Sequence, residues 1–295
     1  MIGIHQDDQS LLRCPKCHGA LEFSGRCSEW LENGVFSCKQ KNHLWRVRGG
    51  VADLADRSDF TLRDRFLDTL FDFLAPVHDL SVDHLLPVLQ YPDPDAAREH
   101  YIDEMQLDGR DLQKGKEVKR ILDVGAGPGA NIPLIRKTIP EEVKYNLWAL
   151  DLNSSMLSKF ANNHRSAGGE RIRLLGADGQ ALPLADNSFD RVLNVGGINL
   201  YPDPKKGLAE MARVAKKNTP IVVVDEGLDK DRKHSLLHEI VFKWLTLVDK
   251  IDKAPEGLLP DGCEVVKVFN VSRFYYCFVY MKTDHSALKD SLKGN

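Results

Sequence analysis

No stretch of this chain approaches the ~20 consecutive apolar residues that a membrane-spanning helix needs, so no span is expected. The opening residues, Met1-Ile2-Gly3-Ile4-His5-Gln6-Asp7-Asp8, lack a basic n-region and an apolar h-region. A secretory leader is therefore not expected, and the chain reads as cytoplasmic. A basic excess is missing too: 40 Lys and Arg stand against 43 Asp and Glu, a net charge of −3. Dedicated nucleic-acid binders draw affinity from phosphate neutralisation, so the bulk charge does not point to nucleic acid, although it leaves room for a local basic patch. Internal repeats and low-complexity tracts are absent. Cysteine is sparse after residue 38, with only Cys263 and Cys277 beyond it, whereas Cys14, Cys17, Cys27 and Cys38 crowd the start. In a cytosolic chain such a cluster binds metal more often than it forms disulfides.

What is present falls into three zones: a cysteine-rich segment over 1–54, a helical connecting or cap region over 55–116, and an α/β domain over 117–295. In the third zone short β-branched runs alternate with amphipathic ones. Strands are predicted over 118–124, 145–150, 171–175, 189–194 and 220–225, with helices over 131–138, 153–163 and 205–214. This alternation implies βαβ units and a parallel sheet. Two further strand-like runs, 263–271 and 274–281, are separated only by Ser272-Arg273, a gap that permits an antiparallel hairpin and nothing else. Before them lies a long helical segment over 233–250, with Leu236, Leu237, Ile240, Val241, Trp244, Leu245 and Val248 at helical spacing. Its apolar face would cover a pocket or pack into the core.

The first strand of the α/β domain runs into Asp123-Val124-Gly125-Ala126-Gly127-Pro128-Gly129. Glycines let the backbone turn sharply and approach a ligand, and ligands of open α/β sheets bind beyond the carboxyl ends of the strands. By itself the loop suits NAD, a nucleotide phosphate or a tight turn. Asp151, ending the second strand, stands where an acidic side chain can hold a ribose diol. Asp178 follows the third strand in Gly176-Ala177-Asp178-Gly179. The tail Leu182-Pro183-Leu184-Ala185-Asp186-Asn187-Ser188-Phe189-Asp190 then leads into the fourth.

The run from Ile121 to Gly129 resembles motif I of class I S-adenosylmethionine-dependent methyltransferases, and the Asp178 segment with its tail resembles the "type 11" branch that includes ubiquinone/menaquinone C-methyltransferases. The resemblance covers about residues 118–226. It implies a doubly wound, mostly parallel seven-stranded sheet closed by a C-terminal antiparallel hairpin. It also implies that Gly125, Ala126, Gly127 and Gly129 cradle the methionine half of the cofactor, with Asp123 meeting its amino group. Asp151 would hold the ribose and Leu152 lie against the adenine. Asp178 would accept from the adenine amine with Gly179 at the ring edge, and Asn194 would face the methyl group. Upstream, Phe71-Asp72-Phe73-Leu74-Ala75-Pro76-Val77-His78-Asp79-Leu80 is similar to a segment that packs over the cofactor in the same branch, with His78 where the family has Tyr. Tyr101 either reaches the cofactor carboxylate or belongs to the core.

Cys14-Pro15-Lys16-Cys17 is a C-x-x-C knuckle, and Cys38 with His43 supplies a C-x4-H pair. Two such pairs can place four ligands tetrahedrally around zinc, and a fold of ~50 residues lacks the core to stand without such a staple. Cys27 is the alternative fourth ligand to His43. The pattern resembles the small zinc ribbon of bacterial rRNA guanine-N1 methyltransferases, with four residues instead of three between Cys38 and His43. A site closed by four protein ligands implies a structural zinc.

No base stands out for the transfer. His78, His100, His234, His238 and the pair Asp225-Glu226 are candidates, and Asp225 serves equally as a cap. The leading expectation is C- or O-methylation of a small, apolar molecule. The alternatives are an RNA methyltransferase gripping RNA with the ribbon through Lys39, Lys41, Arg46 and Arg48, and a non-catalytic, cofactor-binding regulatory partner. The oligomeric state is not legible.

Overall fold

The computed structural model describes residues 2–58, 94–115, 117–165, 172–246 and 251–283. The cysteine-rich segment folds as an antiparallel meander of β1 (Leu21–Cys27), β2 (Leu31–Cys38), β3 (Leu44–Arg48) and β4 (Val51–Asp53). In β3 the alternation of side chains is plain: Trp45 and Val47 are buried, while Leu44, Arg46 and Arg48 face out.

The β-branched runs form β5 (Lys119–Val124), β6 (Tyr145–Asp151), β7 (Ile172–Gly176), β8 (Arg191–Val195) and β9 (Ile221–Glu226). These five are parallel in the order β7-β6-β5-β8-β9. Four of the six residues of β9 are Ile or Val and all four are buried, as a parallel strand covered on both faces requires. The hairpin of β10 (Cys263–Asn270) and β11 (Tyr275–Lys282) closes the edge, with β11 antiparallel to β9. Its connection is four residues, 271–274, longer than the two expected.

The sheet does not stop at seven strands. β4 pairs in parallel with β7, with Ala52 opposite Leu175 and Asp53 opposite Gly176, so the meander extends the sheet to eleven. Two other seams hold it. Arg13 donates its N–H to the Pro183 carbonyl at 2.9 Å and Ala185 donates to Leu11 at 2.8 Å. Arg173 of β7 makes a buried ion pair with Asp8 and lies 4.7 Å from the Trp30 ring centre. Removing one partner of such a pair strands the other and costs ~3–5 kcal/mol. Cys14, Cys38, Trp45 and Leu54 accordingly share one core cluster with Val124, Trp148, Leu175 and Leu182.

Helices pack on both faces: α1 (Pro94–Asp103), α2 (Arg110–Gln113), α3 (Ile132–Thr138), α4 (Ser154–His164), α5 (Pro204–Val214) and α6 (Leu236–Leu245). Asn153 caps α4 by accepting from Met156 N–H, and Asp203 caps α5 by accepting from Lys206 N–H. Helix α6 is shorter than the expected 233–250. Ser235 and His238 form its capping box, and residues 247–250 lie outside the described residues. The expected apolar stripe is not buried: Leu236, Leu237, Ile240 and Trp244 are exposed and Val241 and Leu245 half-buried, while Phe242, outside that stripe, is the residue buried on Phe274.

Candidate functional site

The carboxyl ends of β5, β6, β7 and β8 form one rim. At the end of β5 the chain turns through Gly125, Gly127 and Gly129, all at positive φ (72°, 54° and 87°), a conformation disfavoured for other residues. Gly125 and Ala126 both donate their N–H groups to the Leu150 carbonyl at 2.9 Å, which lashes the loop to β6. The three glycines differ in what faces them. A Cβ at Gly127 would meet nothing within 4 Å, so its backbone borders open space. A Cβ on Gly129 would stand 2.3 Å from His164 Nε2, so this glycine admits the close approach of α4. His164 Nε2 is 3.0 Å from the Gly129 carbonyl, and burial lowers its pKa.

Beneath the loop Asp123 is buried, and one of its oxygens, Oδ1, has no hydrogen-bond partner among the described residues. The other, Oδ2, lies 3.5 Å from Asn131 Nδ2. Asn131 precedes α3 without capping it; its Oδ1 accepts instead from the Tyr101 hydroxyl at 2.6 Å. A line Tyr101–Asn131–Asp123 therefore runs from α1 to the loop. Tyr101 is buried, and burial raises its pKa. Burial, with the nearby Asp151 charge adding to it, pushes the Asp123 carboxyl up to about 7.

At the end of β6 the Asp151 carboxylate accepts from Gly127 N–H at 2.9 Å and from Asn153 N–H at 2.8 Å. Leu152, half-buried between them, has its carbonyl held by Arg57. Beyond β7, Asp178 Oδ1 accepts from the Gln180 backbone at 2.8 Å. Asn194, fully buried on β8, donates to the Val124 carbonyl at 2.8 Å, and its Oδ1 lacks a partner among the described residues. Asp123, Gly127, Asp151, Leu152, Asp178, Gly179 and Asn194 thus line one rim. Sequence reasoning missed Tyr201 there. A Cβ on Gly179 would fall 1.9 Å from its hydroxyl, and burial raises its pKa, with the Asp178 charge adding to that.

Among the described acid–base candidates, His234 and His238 are in edge-to-face ring contact, with centres 6.2 Å apart. Asp225, at the tip of β9, is fully buried and accepts from Asn199 N–H at 3.0 Å and Glu226 N–H at 2.9 Å. Asn199, in the turn that follows β8, donates to the Glu226 carbonyl and accepts from the Tyr276 hydroxyl, tying that turn to β9 and β11. Burial, then the Glu226 charge, raises Asp225 well above the usual carboxylate range. His100 is exposed and its ring packs 4.4 Å from that of Phe269 on the outer strand β10. His234 meets the Asp229 carbonyl and His238 serves the helix cap. His78 and the Phe71–Leu80 segment lie outside the described residues.

At the other end of the sheet the ligand atoms of Cys14, Cys17, Cys38 and His43 all lie within 4.8 Å of one another. Cys14 Sγ is 3.2 Å from His43 Nδ1, and Cys17 Sγ is 3.4 Å from Cys38 Sγ. Three thiolates and an imidazole converging within that distance are the donor set zinc prefers, so the residues fit that ion. Burial acts to raise the Cys38 thiol, but the N–H groups of Gln40 and Lys41 and the neighbouring cysteines outweigh it and lower its pKa. Such amide donors stabilise a thiolate whether or not a metal shares it. Cys27 is exposed and turns its thiol to the Ser28 carbonyl, away from the cluster.

Residues 122–223 match the family model described as "Methyltransferase domain". Over 104 residues the chain is 38% identical to a fatty-acid O-methyltransferase of Mycolicibacterium smegmatis, covering 35% of this chain and 36% of that one. It is 34% identical over 107 residues to a demethylmenaquinone methyltransferase of Clavibacter sepedonicus, covering 36% and 41%. The alignments thus span well under half the length of these relatives. Among solved structures, the Haemonchus contortus phospholethanolamine N-methyltransferase 2 superposes with a TM-score of 0.53 at 14% identity, over 76% of this chain and 61% of that one. That likeness concerns the fold. The likeness to methyltransferases is thus confined, on the family model, to residues 122–223.

Proposed function

We propose that this protein transfers a methyl group from S-adenosylmethionine to carbon or oxygen of a small, apolar acceptor. The observation that carries the reading is the unpaired Asp123 Oδ1. A buried polar atom without a partner costs ~1–3 kcal/mol, more if charged. The cofactor's ammonium group is the donor that would relieve it, at the foot of a loop that leaves open space at Gly127. Asp151 would accept from the ribose hydroxyls with the lone pairs left by Gly127 and Asn153. Leu152 would lie against the adenine, with Asp178 and Gly179 at its edge. The bound cofactor supplies an activated methyl group on a sulfonium. This chain would align the acceptor with it and keep water out, and Asn194 would face the methyl group. Asp225, committed to two backbone N–H groups, braces the strand tips.

The apolar character of the acceptor is supported by the names of the two curated relatives, one acting on fatty acids and one on demethylmenaquinone. Zinc at Cys14, Cys17, Cys38 and His43 is structural in this reading. The test is turnover of radiolabelled S-adenosylmethionine against fatty acids, polyprenyl quinols and rRNA. Label moving into an apolar acceptor supports the proposal.

A second reading has one observation in its favour: Arg46 and Arg48 point outward from β3, with Lys39 and Lys41 exposed nearby. An RNA acceptor would use them, and its affinity would fall steeply with salt. Label confined to rRNA would select this reading, and cofactor binding without turnover on any acceptor would indicate a regulatory partner.

A further inference from the structure

The row of residues at the carboxyl edge of the sheet runs past the methyltransferase strands into the N-terminal meander. Asp151 of β6 pairs with Gly176 of β7, and Gly176 pairs with Asp53 of β4. The two carboxylates therefore flank a glycine, and a Cβ at Gly176 would come within 3.1 Å of Asp53 Oδ1. Four residues on, Arg57 closes this edge. Its Nη1 donates to both Asp53 oxygens at 3.0 and 3.1 Å, and its Nη2 donates to the Leu152 carbonyl at 2.9 Å. Leu54 adds a backbone bond to the Gly176 carbonyl at 2.7 Å.

We propose that Arg57 is a positioning residue for the cofactor: anchored on Asp53, its guanidinium holds the Leu152 carbonyl and so fixes the turn that presents the ribose and adenine contacts. The turn is held from both sides. Asp151 ties it to the glycine loop through Gly127, and Arg57 ties it to the meander. Without Arg57 the Leu152 carbonyl loses its fixed donor, and Leu152 is free to turn away from the position that a ring lying on it requires. A planar fork is needed, because one group must meet a carboxylate and a carbonyl at once; a lysine ammonium offers no fixed geometry for both. The N-terminal module is then a wall of the cofactor site as well as a staple for the chain.

The inference rests on S-adenosylmethionine binding at this rim. A structural role and a positioning role separate by size. Arg57 and Asp53 are 34% and 55% exposed, and such pairs contribute only ~0–1 kcal/mol to stability. The experiment titrates S-adenosylhomocysteine and, separately, adenosine into the full-length wild type, Arg57→Ala, Arg57→Lys and Asp53→Asn, with melting temperature and zinc content measured on each. The expected result is about a tenfold rise in Kd for both ligands in Arg57→Ala, equivalent to ~1.4 kcal/mol. Smaller rises are expected in Arg57→Lys and Asp53→Asn, with zinc content and melting temperature near wild type. In turnover, the KM for S-adenosylmethionine rises and kcat holds. Wild-type affinity in Arg57→Ala overturns the inference, as does a variant that melts far below wild type or fails to fold. If the wild type binds neither ligand, the cofactor assignment itself falls.

Discussion

Gly127 donates its backbone N–H to the Asp151 carboxylate at 2.9 Å, so the residue proposed to hold the ribose also sets the shape of the glycine loop. Asp151→Ala removes both functions at once. With charge-assisted hydrogen bonds contributing ~1.5–3 kcal/mol each, S-adenosylhomocysteine affinity should fall by about a hundredfold or more. Asp151→Asn keeps an acceptor for Gly127 and should fall less. Calorimetric titration of the two variants checks the order.

Asp123 makes cofactor binding pH-dependent. Its carboxyl is pushed up to about 7 in the ligand-free protein, and a bound ammonium would pull it down. Binding near neutral pH should therefore release protons, and affinity should rise with pH until it levels off above about 7. Titrations at one pH in buffers of different ionisation enthalpy measure the protons released. A buffer-independent heat would contradict this.

The same group acts on stability with a definite sign. A carboxyl whose folded pKa lies above its unfolded value of 3.8 favours folding at low pH, and that contribution is lost as pH rises through about 7. Asp123→Asn cannot ionise, so its melting temperature should overtake wild type as pH climbs from 5 to 8, on the order of 2 kcal/mol at the upper end. Melting curves across that range give the answer.

Two glycines of one loop should fail differently when changed to alanine. Gly129→Ala drives a Cβ to 2.3 Å from His164 Nε2 and should destabilise the fold by ~2–3 kcal/mol through overpacking. Gly127→Ala meets no atom within 4 Å, and its cost is the positive φ, ~1 kcal/mol. It should melt near wild type yet bind cofactor poorly, because the new methyl group occupies the open side. Melting temperature and Kd, measured on both, separate the two cases.

Removing metal from Cys14, Cys17, Cys38 and His43 should lower stability across the whole chain. Cys14 and Cys38 share a core with Trp148 and Leu175, so chelator-treated protein should unfold in one transition at lower temperature, without an independently melting ribbon. Metal analysis of Cys38→Ser should show loss of a near-stoichiometric zinc.

Much of this was legible in the residues. The β-branched runs of β5 to β9, the closing hairpin and the C-x-x-C and C-x4-H pairs all have short-range signals. The eleven-stranded sheet does not, because Asp53 and Gly176 pair across more than a hundred residues and neither marks the contact. Asn131 reads as the first residue of a helix, and nothing in that reading marks that its side chain joins Tyr101 to Asp123. Tyr201 falls between the strand predicted over 189–194 and the helix over 205–214 with no signal of its own, but lies over Gly179. The α6 stripe shows helical spacing, and spacing alone does not tell that Leu236 and Trp244 are exposed while Phe242, beside the stripe, is buried.

The most direct measurement is calorimetric titration of the full-length protein with S-adenosylhomocysteine, wild type beside Asp123→Asn. Saturable binding at one site per chain is expected in the wild type, weakened at least tenfold by loss of the buried carboxylate, as ~1.4 kcal/mol or more of charge-assisted bonding would require. No binding to the wild type, or equal binding by the two proteins, would contradict it.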